Sequence, residues 1–307
     1  MILRAMGNIM LLGASGQLGQ ELLAQLDEVA RVTAVDREAG GEDAIELDLS
    51  NLKDVEDLLN RVHPEVVINA AAYTAVDKAE TDHRTAFRIN AELPACLARY
   101  CKANDAFLLH YSTDYVFDGQ SEQPYREDDL PGPLGAYGES KLAGEWAVGA
   151  SRCRHVILRT SWVYSTHGSN FVLSMLRLAR QRSELSIVSD QTGCPTWARN
   201  LARASISVLR QVAEQRDDER INGVFHYCDS SVVTWYDFAE MIFQLAAELN
   251  LLHEIPRLKA IKSTEFPQSA RRPVWSVLDT SAIKKTFAFE PPDLPVSLRA
   301  CLEEIDA

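Results

Sequence analysis

The sequence predicts an α/β protein whose core is a doubly wound parallel sheet, and two observations predict it. In the first half of the chain, short apolar runs alternate with segments of helical periodicity. A glycine-rich turn, GASGQLG at 13–19, lies between the first apolar run and the first helical segment. Strands that alternate with helices form right-handed β-α-β units, and these build a parallel sheet with helices on both faces.

The elements follow in chain order. The predicted strands are NIMLLG (8–13), RVTAVD (31–36), PEVVINAAA (64–72), AFLLHYS (106–112) and RHVILRTSWVY (154–164). The predicted helices lie at QLGQELLAQL (17–26), at AFRINAELPACLARYCKA (86–103) and from about Leu134 onward. Such sheets bind ligands at the carboxyl ends of their strands, so the residues that end these strands are site candidates.

After about residue 165 the alternation loosens. NFVLSMLRLARQR and WYDFAEMIFQLAAEL predict amphipathic helices, separated by turn-rich segments and by the charged stretch EQRDDER. We expect a first domain at 1–165 and a smaller C-terminal, substrate-binding portion at 166–307, which packs on the ligand edge and whose elements can return to the first domain. The polar segment 118–135 is long enough to predict a lid.

Composition limits the class of partner. The 307 residues are 46% hydrophobic and 24% charged, which is typical of a globular protein with a full core. The net charge of −13, without a block of Lys and Arg, argues against a nucleic-acid partner. No apolar run reaches the roughly 18 residues of a membrane helix, and the first residues do not resemble a cleavable leader. We therefore expect no membrane partner.

The six cysteines form no C-x-x-C pair and no metal-ligand spacing with histidine. Buried free thiols in a reducing compartment are the expected reading, which predicts a cytoplasmic protein.

The glycine turn has the spacing of a pyrophosphate-binding loop. Gly13, Gly16 and Gly19 follow a strand and open a helix, whose free N–H groups and dipole attract phosphate. Asp36 ends the next strand 17 residues after Gly19, which is near the spacing of a ribose partner. The region 1–165 is thus predicted to be a dinucleotide-binding, Rossmann-like domain. Asp36 favours NADH because it repels a 2′-phosphate, whereas Arg37 would attract one, so NADPH and NADH both stay open.

A tyrosine and a lysine follow at helical spacing. Tyr137 and Lys141 lie on one helix face, where a lysine ammonium is expected to lower the pKa of the phenol towards working pH. Such a phenol gives a proton to a carbonyl oxygen as hydride reaches the carbon. Ser112 and Thr113 end a strand, and we expect them to supply a hydroxyl to the same oxygen.

With these motifs the sequence resembles the extended short-chain dehydrogenase/reductases, and most closely the dTDP-4-dehydrorhamnose reductase family. The resemblance covers nearly the whole chain. It rests on GASGQLG (13–19), NAAAYTAVDKAE (69–80), HYSTDYVFDG (110–119), YGESKLAGE (137–145), LRTSWVY (158–164), DQTGCPT (190–196), VTWYDFA (233–239) and ARRP (270–273).

The resemblance implies NADPH- or NADH-dependent reduction of the C4 keto group of dTDP-4-dehydro-L-rhamnose to dTDP-L-rhamnose, for cell-surface polysaccharide. It implies a catalytic set of Thr113, Tyr137 and Lys141. The cofactor side comprises Gly13, Gly16, Gln17, Leu18, Gly19, Asp36, Arg37, Asp48, Leu49, Ala71, Ala72 and Tyr73, together with Tyr137 and Lys141. The nucleotide-sugar side comprises Thr113, Asp114, Tyr115, Trp162, Arg271 and Arg272, and Asn90 is implied to be structural.

One departure concerns metal binding. Some members of the family are associated with magnesium at a subunit contact built from glutamates, but this chain has Arg199 after QTGCPT. We therefore expect no metal site. The sequence leaves the oligomeric state open between a monomer and a homodimer.

Three alternatives stay in view. A 4,6-dehydratase is expected to carry a second acid two positions after the threonine, where this chain has Tyr115. An epimerase fits the Trp162 segment poorly. A non-catalytic relative that binds the cofactor and regulates a partner enzyme is disfavoured by the intact Thr113, Tyr137 and Lys141.

Overall fold

The computed structural model describes residues 7–26, 30–37, 44–215 and 218–305 around a seven-stranded parallel sheet. Residues 1–6 lie outside the described residues. They belong to the N-terminal segment that the sequence analysis expects not to be a cleavable leader. The strands are β1 Asn8–Leu12, β2 Arg31–Asp36, β3 Ile45–Glu46, β4 Val66–Asn69, β5 Phe107–Thr113, β6 Arg154–Thr160, β7 Val163–Tyr164, β8 Glu184–Val188, β9 Thr192–Gly193, β10 Thr196–Trp197, β11 Gly223–His226, β12 Val233–Thr234 and β13 Arg257–Ile261.

The helices flank this sheet and the C-terminal portion. They are α1 Gln17–Leu26, α2 Leu52–Val62, α3 Val76–Ala79, α4 His83–Phe87, α5 Leu93–Ala103, α6 Ala136–Ser151, α7 Phe171–Ala179, α8 Ala198–Glu214, α9 Trp235–Glu248, α10 Ser281–Phe287 and α11 Leu294–Glu303. A π-helical turn, Arg88–Glu92, joins α4 to α5.

The strand order is β11-β6-β5-β4-β1-β2-β3, and all neighbours are parallel. The order reverses between β1 and β4, and at such a switch point a crevice opens at the carboxyl ends of the strands. The doubly wound α/β fold predicted from the alternation is confirmed.

Alternating apolar side chains bury both faces of the central strands. Ile9 and Leu11 of β1 join one core cluster, whereas Met10 and Leu12 join the cluster on the opposite face. Successive side chains of a strand point to opposite faces, so a continuous apolar run is what a sheet covered by helices on both sides requires.

The second half of the chain contributes to this sheet. Strand β11 pairs with β6 at the sheet edge, and α8 packs against α1. The sequence reading identified neither element. A third core cluster, around α7, α9 and α11, forms the body of the C-terminal portion.

Two predicted elements differ in detail. The run 154–164 is interrupted at Trp162, whose φ of 48° turns the chain between β6 and β7. The helix predicted at 86–103 begins earlier, at His83, and contains the π turn. Of the charged stretch 214–220, residues 216–217 lie outside the described residues.

The segment 118–135, whose length predicts a lid, makes several contacts with the body of the protein. The buried Tyr125 stacks on Phe117 with ring centroids 4.2 Å apart. Its N–H donates to the Val277 carbonyl oxygen at 2.8 Å, and the Trp275 Nε1 donates to the Gln123 carbonyl oxygen at 2.9 Å. These bonds fix the middle of the segment in place.

Candidate active site

The glycine turn lies between the end of β1 and the start of α1, where only glycine fits. Gly13 has a φ of +79°, and a Cβ there would lie 2.5 Å from the Ala71 nitrogen after β4. A Cβ on Gly19 would lie 2.0 Å from the Gly13 carbonyl oxygen. At Gly16 a Cβ would meet the Gly13 oxygen alone, at 3.3 Å. The backbone therefore leaves a cradle at the α1 N-terminus, which suits a pyrophosphate.

Gln17 at the start of α1 is held by the C-terminal portion. Asn170 Nδ2 donates to Gln17 Oε1 at 2.9 Å, and Gln17 Nε2 donates to the Ser169 carbonyl oxygen at 3.4 Å. Leu18 packs against the core on one face of the sheet. The dinucleotide loop thus contacts the C-terminal portion directly.

Asp36 lies against the glycine turn, as its position at the end of β2 predicts. One carboxylate oxygen accepts the Ser15 N–H at 2.9 Å, and the other accepts the Arg37 N–H at 2.7 Å. Asp48 lies near Arg37: a bond from the Ser50 N–H and the Arg37 charge hold the pKa of Asp48 below its usual value. Leu49 beside it is buried. This corner offers two carboxylates and one exposed cation.

The segment after β4 is clamped by Asn90 of the π turn. Asn90 Oδ1 accepts the Tyr73 N–H at 2.8 Å, while Asn90 Nδ2 donates to the Tyr73 carbonyl oxygen at 3.0 Å and to Ser140 Oγ at 3.0 Å. Ala71 and Ala72 precede this clamp and stay partly or fully exposed. The π turn aims Asn90 at both the Tyr73 backbone and α6, and such turns often occur at functional sites.

Thr113 and Asp114 form a hydrogen-bonded pair at the end of β5. Thr113 Oγ1 donates to Asp114 Oδ1 at 2.9 Å and accepts the Tyr115 N–H at 3.2 Å. Asp114 is 1% exposed, so its carboxylate is buried. Ser112 Oγ is buried without a partner among the described residues, and alternation along β5 turns it away from Thr113. Of the two predicted hydroxyls, only Thr113 joins the cluster.

Tyr137 of α6 meets this pair. The Tyr115 and Tyr137 rings pack edge to face with centroids 5.5 Å apart. The expectation that Lys141 lowers the pKa of Tyr137 is wrong for this structure: burial raises it to about 12, with a smaller opposing effect of a hydrogen bond to Thr113. The phenol is therefore neutral at working pH, and it carries the proton that a general acid has to donate.

Lys141 lies one turn further along α6 and is 2% exposed. Its Nζ donates to the Tyr111 carbonyl oxygen at 2.6 Å, which commits one of its three protons to β5. Burial lowers the pKa of Lys141 to about 8, and the Glu145 charge on the same helix face partly offsets that effect. The ammonium thus stays largely charged near pH 7.

The predicted Trp162 wall is a stack of two indoles. The Trp162 ring lies 3.5 Å from that of Trp235 at 5°, and Gly193 passes so close that a Cβ there would lie 2.6 Å from Trp162. Phe171 packs on the far ring of the pair, with centroids 4.6 Å apart. The φ of Trp162 and the glycine at 193 together set the orientation of this wall.

The two predicted phosphate-binding arginines have different surroundings. Arg271 is exposed, whereas Arg272 is half-buried and donates to Asp77 Oδ2 at 2.8 Å. Asp77 also accepts the N–H groups of Ser269 and Ala270, both at 2.9 Å. Burial raises the pKa of Tyr115, and the nearby Arg272 charge lowers it by a smaller amount. Of the two, Arg272 lies beside the candidate sugar site.

The sequence reading missed three of these contributors: Asp77, Ser140 and Trp235. Each lies inside a quoted motif, but its partner is distant in sequence, and local spacing carries no signal for such a pair. The only feature of the sequence that could have suggested a role for them is residue type: Asp77 is an acid that can pair with an arginine, and Trp235 is an aromatic residue at the start of a helix.

Arg199, which motivated the prediction of no metal site, forms ion pairs within the chain. Its Nε donates to Glu21 Oε2 at 2.8 Å, and its Nη1 contacts Glu304. Among the described residues, no group of three His, Cys, Asp or Glu side chains is placed to hold a metal ion.

No helix in the described part of the chain is long and apolar enough to cross a membrane. All six cysteines are buried and free, as the sequence predicts.

Comparison with known proteins gives consistent matches over nearly the full length. The family model of the RmlD substrate binding domain matches residues 7–307. The dTDP-4-dehydrorhamnose reductase of Escherichia coli (strain K12) is 38% identical over 298 residues, which cover 97% of this chain and 98% of that protein.

Two solved structures are similar throughout. A dTDP-4-dehydrorhamnose reductase from Clostridium acetobutylicum ATCC 824 has a TM-score of 0.86 at 36% identity and covers 96% of this chain and 98% of its own. A dTDP-4-dehydrorhamnose reductase from Bacillus anthracis str. Ames, in complex with NADP, has a TM-score of 0.86 at 31% identity, with 97% and 99% covered.

Proposed function

Since the chain belongs to the dTDP-4-dehydrorhamnose reductase family, we propose that Thr113, Tyr137 and Lys141 carry its reaction. The enzyme is an NAD(P)H-dependent oxidoreductase of the extended short-chain type. It reduces the C4 keto group of dTDP-4-dehydro-L-rhamnose to the hydroxyl of dTDP-L-rhamnose, the last step of dTDP-rhamnose synthesis. The observation that carries the residue assignment is a neutral, half-buried phenol in contact with the Thr113 hydroxyl, above a buried ammonium.

The cofactor fits the glycine cradle described above, and when bound it supplies the hydride. As C4 is reduced, negative charge develops on its oxygen. The Tyr137 hydroxyl donates its proton to that oxygen, and the Thr113 hydroxyl stabilises it by a hydrogen bond. Burial dominates the pKa of Tyr137 in the resting site. The Lys141 ammonium, one turn along α6, acts on the phenolate only as it forms during the reaction, because an adjacent cation favours the charged form. Thr113 and Lys141 are buried and Tyr137 is half-buried, which limits the access of water and strengthens these interactions.

The C-terminal portion, 166–307, is proposed to supply the nucleotide-sugar side. Three contacts between this portion and the candidate site support the proposal. Asn170 donates a hydrogen bond to Gln17, Trp235 stacks on Trp162, and the Arg272 charge lies near Tyr115. A cytoplasmic location is part of the same proposal, and the six free thiols support it, because unpaired cysteines suit a reducing compartment.

The direct test is oxidation of NADPH or NADH, followed by absorbance, with dTDP-4-dehydro-L-rhamnose as substrate. We expect turnover, and we expect Tyr137→Phe to lower kcat by roughly 10²–10⁴ because it removes a positioned acid. The Kd for the cofactor should stay near the wild-type value, since only one hydroxyl is lost.

Tyr100→Phe is the matched control. Tyr100 is a buried tyrosine of α5, and its hydroxyl donates to the Pro64 carbonyl oxygen at 3.2 Å and not to the site residues. Its turnover should match the wild type. Normal activity in Tyr137→Phe would remove Tyr137 from the mechanism, and cofactor binding without any turnover would favour a regulatory, non-catalytic role.

A further inference from the structure

We propose that Asp114 is a positioning residue that sets the direction of the Thr113 hydrogen bond, and that only its protonated form frees the Thr113 hydroxyl to donate to the substrate oxygen. The inference rests on the proposed function, in which Thr113 stabilises the oxygen of the reduced carbonyl.

The argument begins with the capacity of one hydroxyl group. A threonine hydroxyl has one hydrogen to donate and two lone pairs that accept. In the structure, Thr113 Oγ1 donates to Asp114 Oδ1 at 2.9 Å and accepts the Tyr115 N–H at 3.2 Å. An ionised Asp114 therefore leaves Thr113 no hydrogen for a ligand.

Protonation of Asp114 reverses the first of these bonds. A carboxyl O–H then donates to Thr113 Oγ1, and the Tyr115 N–H occupies the second lone pair. The Thr113 hydrogen then has to point elsewhere. The Tyr137 hydroxyl carries a second hydrogen beside it. Both hydrogens then become available to one oxygen atom placed between Thr113 and Tyr137. That is the position required for the substrate carbonyl.

The surroundings of Asp114 favour the protonated form. The residue is 1% exposed, and its Oδ2 has no hydrogen-bond partner among the described residues. A hydrogen bond from Ser276 lowers the pKa of Asp114 and so opposes the larger effect of burial, but the same hydroxyl also lies 3.4 Å from the Thr192 carbonyl oxygen. A buried carboxylate with one oxygen unpaired is costly, whereas a carboxylic acid is much less so.

The titratable groups that face Asp114 add no positive charge. They are the Tyr115 phenol on its own turn, the Tyr137 phenol from α6 and the Cys228 thiol after β11. Burial raises the pKa of both phenols, and a hydrogen bond with Cys194 together with burial raises the pKa of the Cys228 thiol, so all three groups are neutral near pH 7. Accordingly, burial raises the pKa of Asp114 to about 6.

The measurable consequence is a fall in kcat/KM as pH rises through that value. With a pKa of about 6 for Asp114 in the free enzyme, kcat/KM should drop about fivefold between pH 6 and pH 7. Tyr137 cannot cause this step, since its pKa lies near 12. Lys141, with a pKa of about 8, would produce a separate step at higher pH.

The test is the pH profile of kcat/KM for dTDP-4-dehydro-L-rhamnose, from pH 5 to 8, with a cofactor-only blank to correct for acid decomposition of NADPH. In Asp114→Asn the carboxamide donates to Thr113 at every pH, so the step near pH 6 should disappear and the ratio of kcat/KM at pH 7 to that at pH 5 should rise from about one tenth in the wild type to about one. Thr113→Val should also lose the step, at a lower overall rate, whereas Thr113→Ser should keep it.

Asp229→Asn is the control for a buried carboxyl elsewhere. Burial also raises the pKa of Asp229 to about 6, but Asp229 bonds to Trp197 and Asn200 and not to Thr113. This variant should keep the step. Circular dichroism and cofactor Kd establish that each variant is folded.

Persistence of the step in Asp114→Asn or in Thr113→Val overturns the proposal, and so does a wild-type profile that is flat between pH 5 and 7. If Asp114→Asn does not fold, the wild-type and Thr113 profiles decide alone. Failure of the proposed function looks different, because it would abolish turnover of this substrate at every pH.

Discussion

At the scale of single residues, burial separates two adjacent arginines that the sequence presents as equals. Arg271 faces solvent, while Arg272 is held by Asp77 at 2.8 Å. The Arg272 Nε is buried and has no partner in the part of the chain that the structure describes. An unpaired donor of this kind is costly unless a ligand accepts from it. Arg272 is therefore the better candidate for a phosphate oxygen of the nucleotide-sugar.

We expect Arg272→Ala to raise KM for the nucleotide-sugar by at least tenfold, in line with about 1.5–3 kcal/mol for a hydrogen bond to a charged group. Arg271→Ala is the matched control and should change KM by less than about twofold, since exposed charges contribute little. The Kd for NADPH should be unchanged in both. Asp77→Asn, which keeps the guanidinium, tests whether Arg272 acts only by holding its loop; a KM as high as that of Arg272→Ala would support that structural role.

Asp36 is the residue on which cofactor preference depends. Its carboxylate accepts two backbone N–H bonds at the glycine turn, so both its charge and its acceptors matter there. Asp36→Asn keeps an acceptor and removes the charge. The ratio of kcat/KM for NADPH to that for NADH should rise by about fivefold, because like charges about 4 Å apart repel by about 1 kcal/mol even in water. An unchanged ratio would show that Asp36 does not face the ribose.

At the scale of elements, the site depends on how closely α6 approaches the π turn. A Cβ on Gly144 would lie 2.1 Å from the Asn90 carbonyl oxygen, so only glycine permits this distance. The approach brings Ser140 to Asn90, and Asn90 in turn holds Tyr73. The position of Tyr137 and Lys141 on α6 is thereby linked to the segment after β4.

Gly144→Ala should lower the free energy of unfolding by about 1–3 kcal/mol, the usual cost of overpacking. It should also reduce kcat, because α6 has to move away from Asn90. Gly149→Ala lies on the same helix, and outside that helix's own backbone no described atom lies within 4 Å of the new Cβ, so it should instead raise stability by about 0.5–1 kcal/mol. Urea unfolding of both variants measures the contrast. Equal effects would mean that helix propensity, not the contact with Asn90, dominates at Gly144.

At the scale of the whole molecule, a buried polar network joins four parts of the chain. Arg159 of β6 makes a two-point ion pair with Glu145 of α6 and donates to His226 Nε2 of β11 at 3.4 Å. His226 Nδ1 donates to the Tyr125 carbonyl oxygen at 3.0 Å, which ties in the segment 118–135. With both ring nitrogens engaged in this way, His226 is neutral. Burial and the Arg159 charge lower its pKa to about 3.

This network predicts a loss of stability in acid. The unfolded chain binds a proton at His226 below about pH 6.5, while the folded protein does not until about pH 3. The stabilising contribution is therefore complete above pH 6.5 and is lost as pH falls, by about 2 kcal/mol at pH 5. Asp114 and Asp229 oppose this trend, because their raised pKa values favour the folded state between about pH 6 and pH 4.

A variant comparison isolates the histidine. His226→Asn keeps a donor to Tyr125 and removes the titration. Between pH 7 and pH 5 the free energy of unfolding should therefore fall by about 2 kcal/mol more in the wild type than in this variant. His253→Asn, at an exposed ring that is hydrated in both states, should keep the wild-type slope. A constant difference between wild type and His226→Asn across this range would contradict the assignment.

The sequence by itself determined the sheet, the glycine turn and the common helix face of Tyr137 and Lys141. These follow from local periodicity, which depends only on the geometry of a strand or a helix. It also placed Asp36 correctly, because a strand after the first helix has to lie beside the first strand.

Only the tertiary structure decided the state and partners of the site residues. Arg272 forms a hydrogen bond with Asp77, which lies 195 positions earlier in the chain, and Trp162 stacks on Trp235 of the C-terminal portion. The pKa of Tyr137 moved opposite to the direction that its spacing from Lys141 predicts. The reason is that desolvation depends on every group packed around the phenol, and a pair of residues four apart carries no information about that environment.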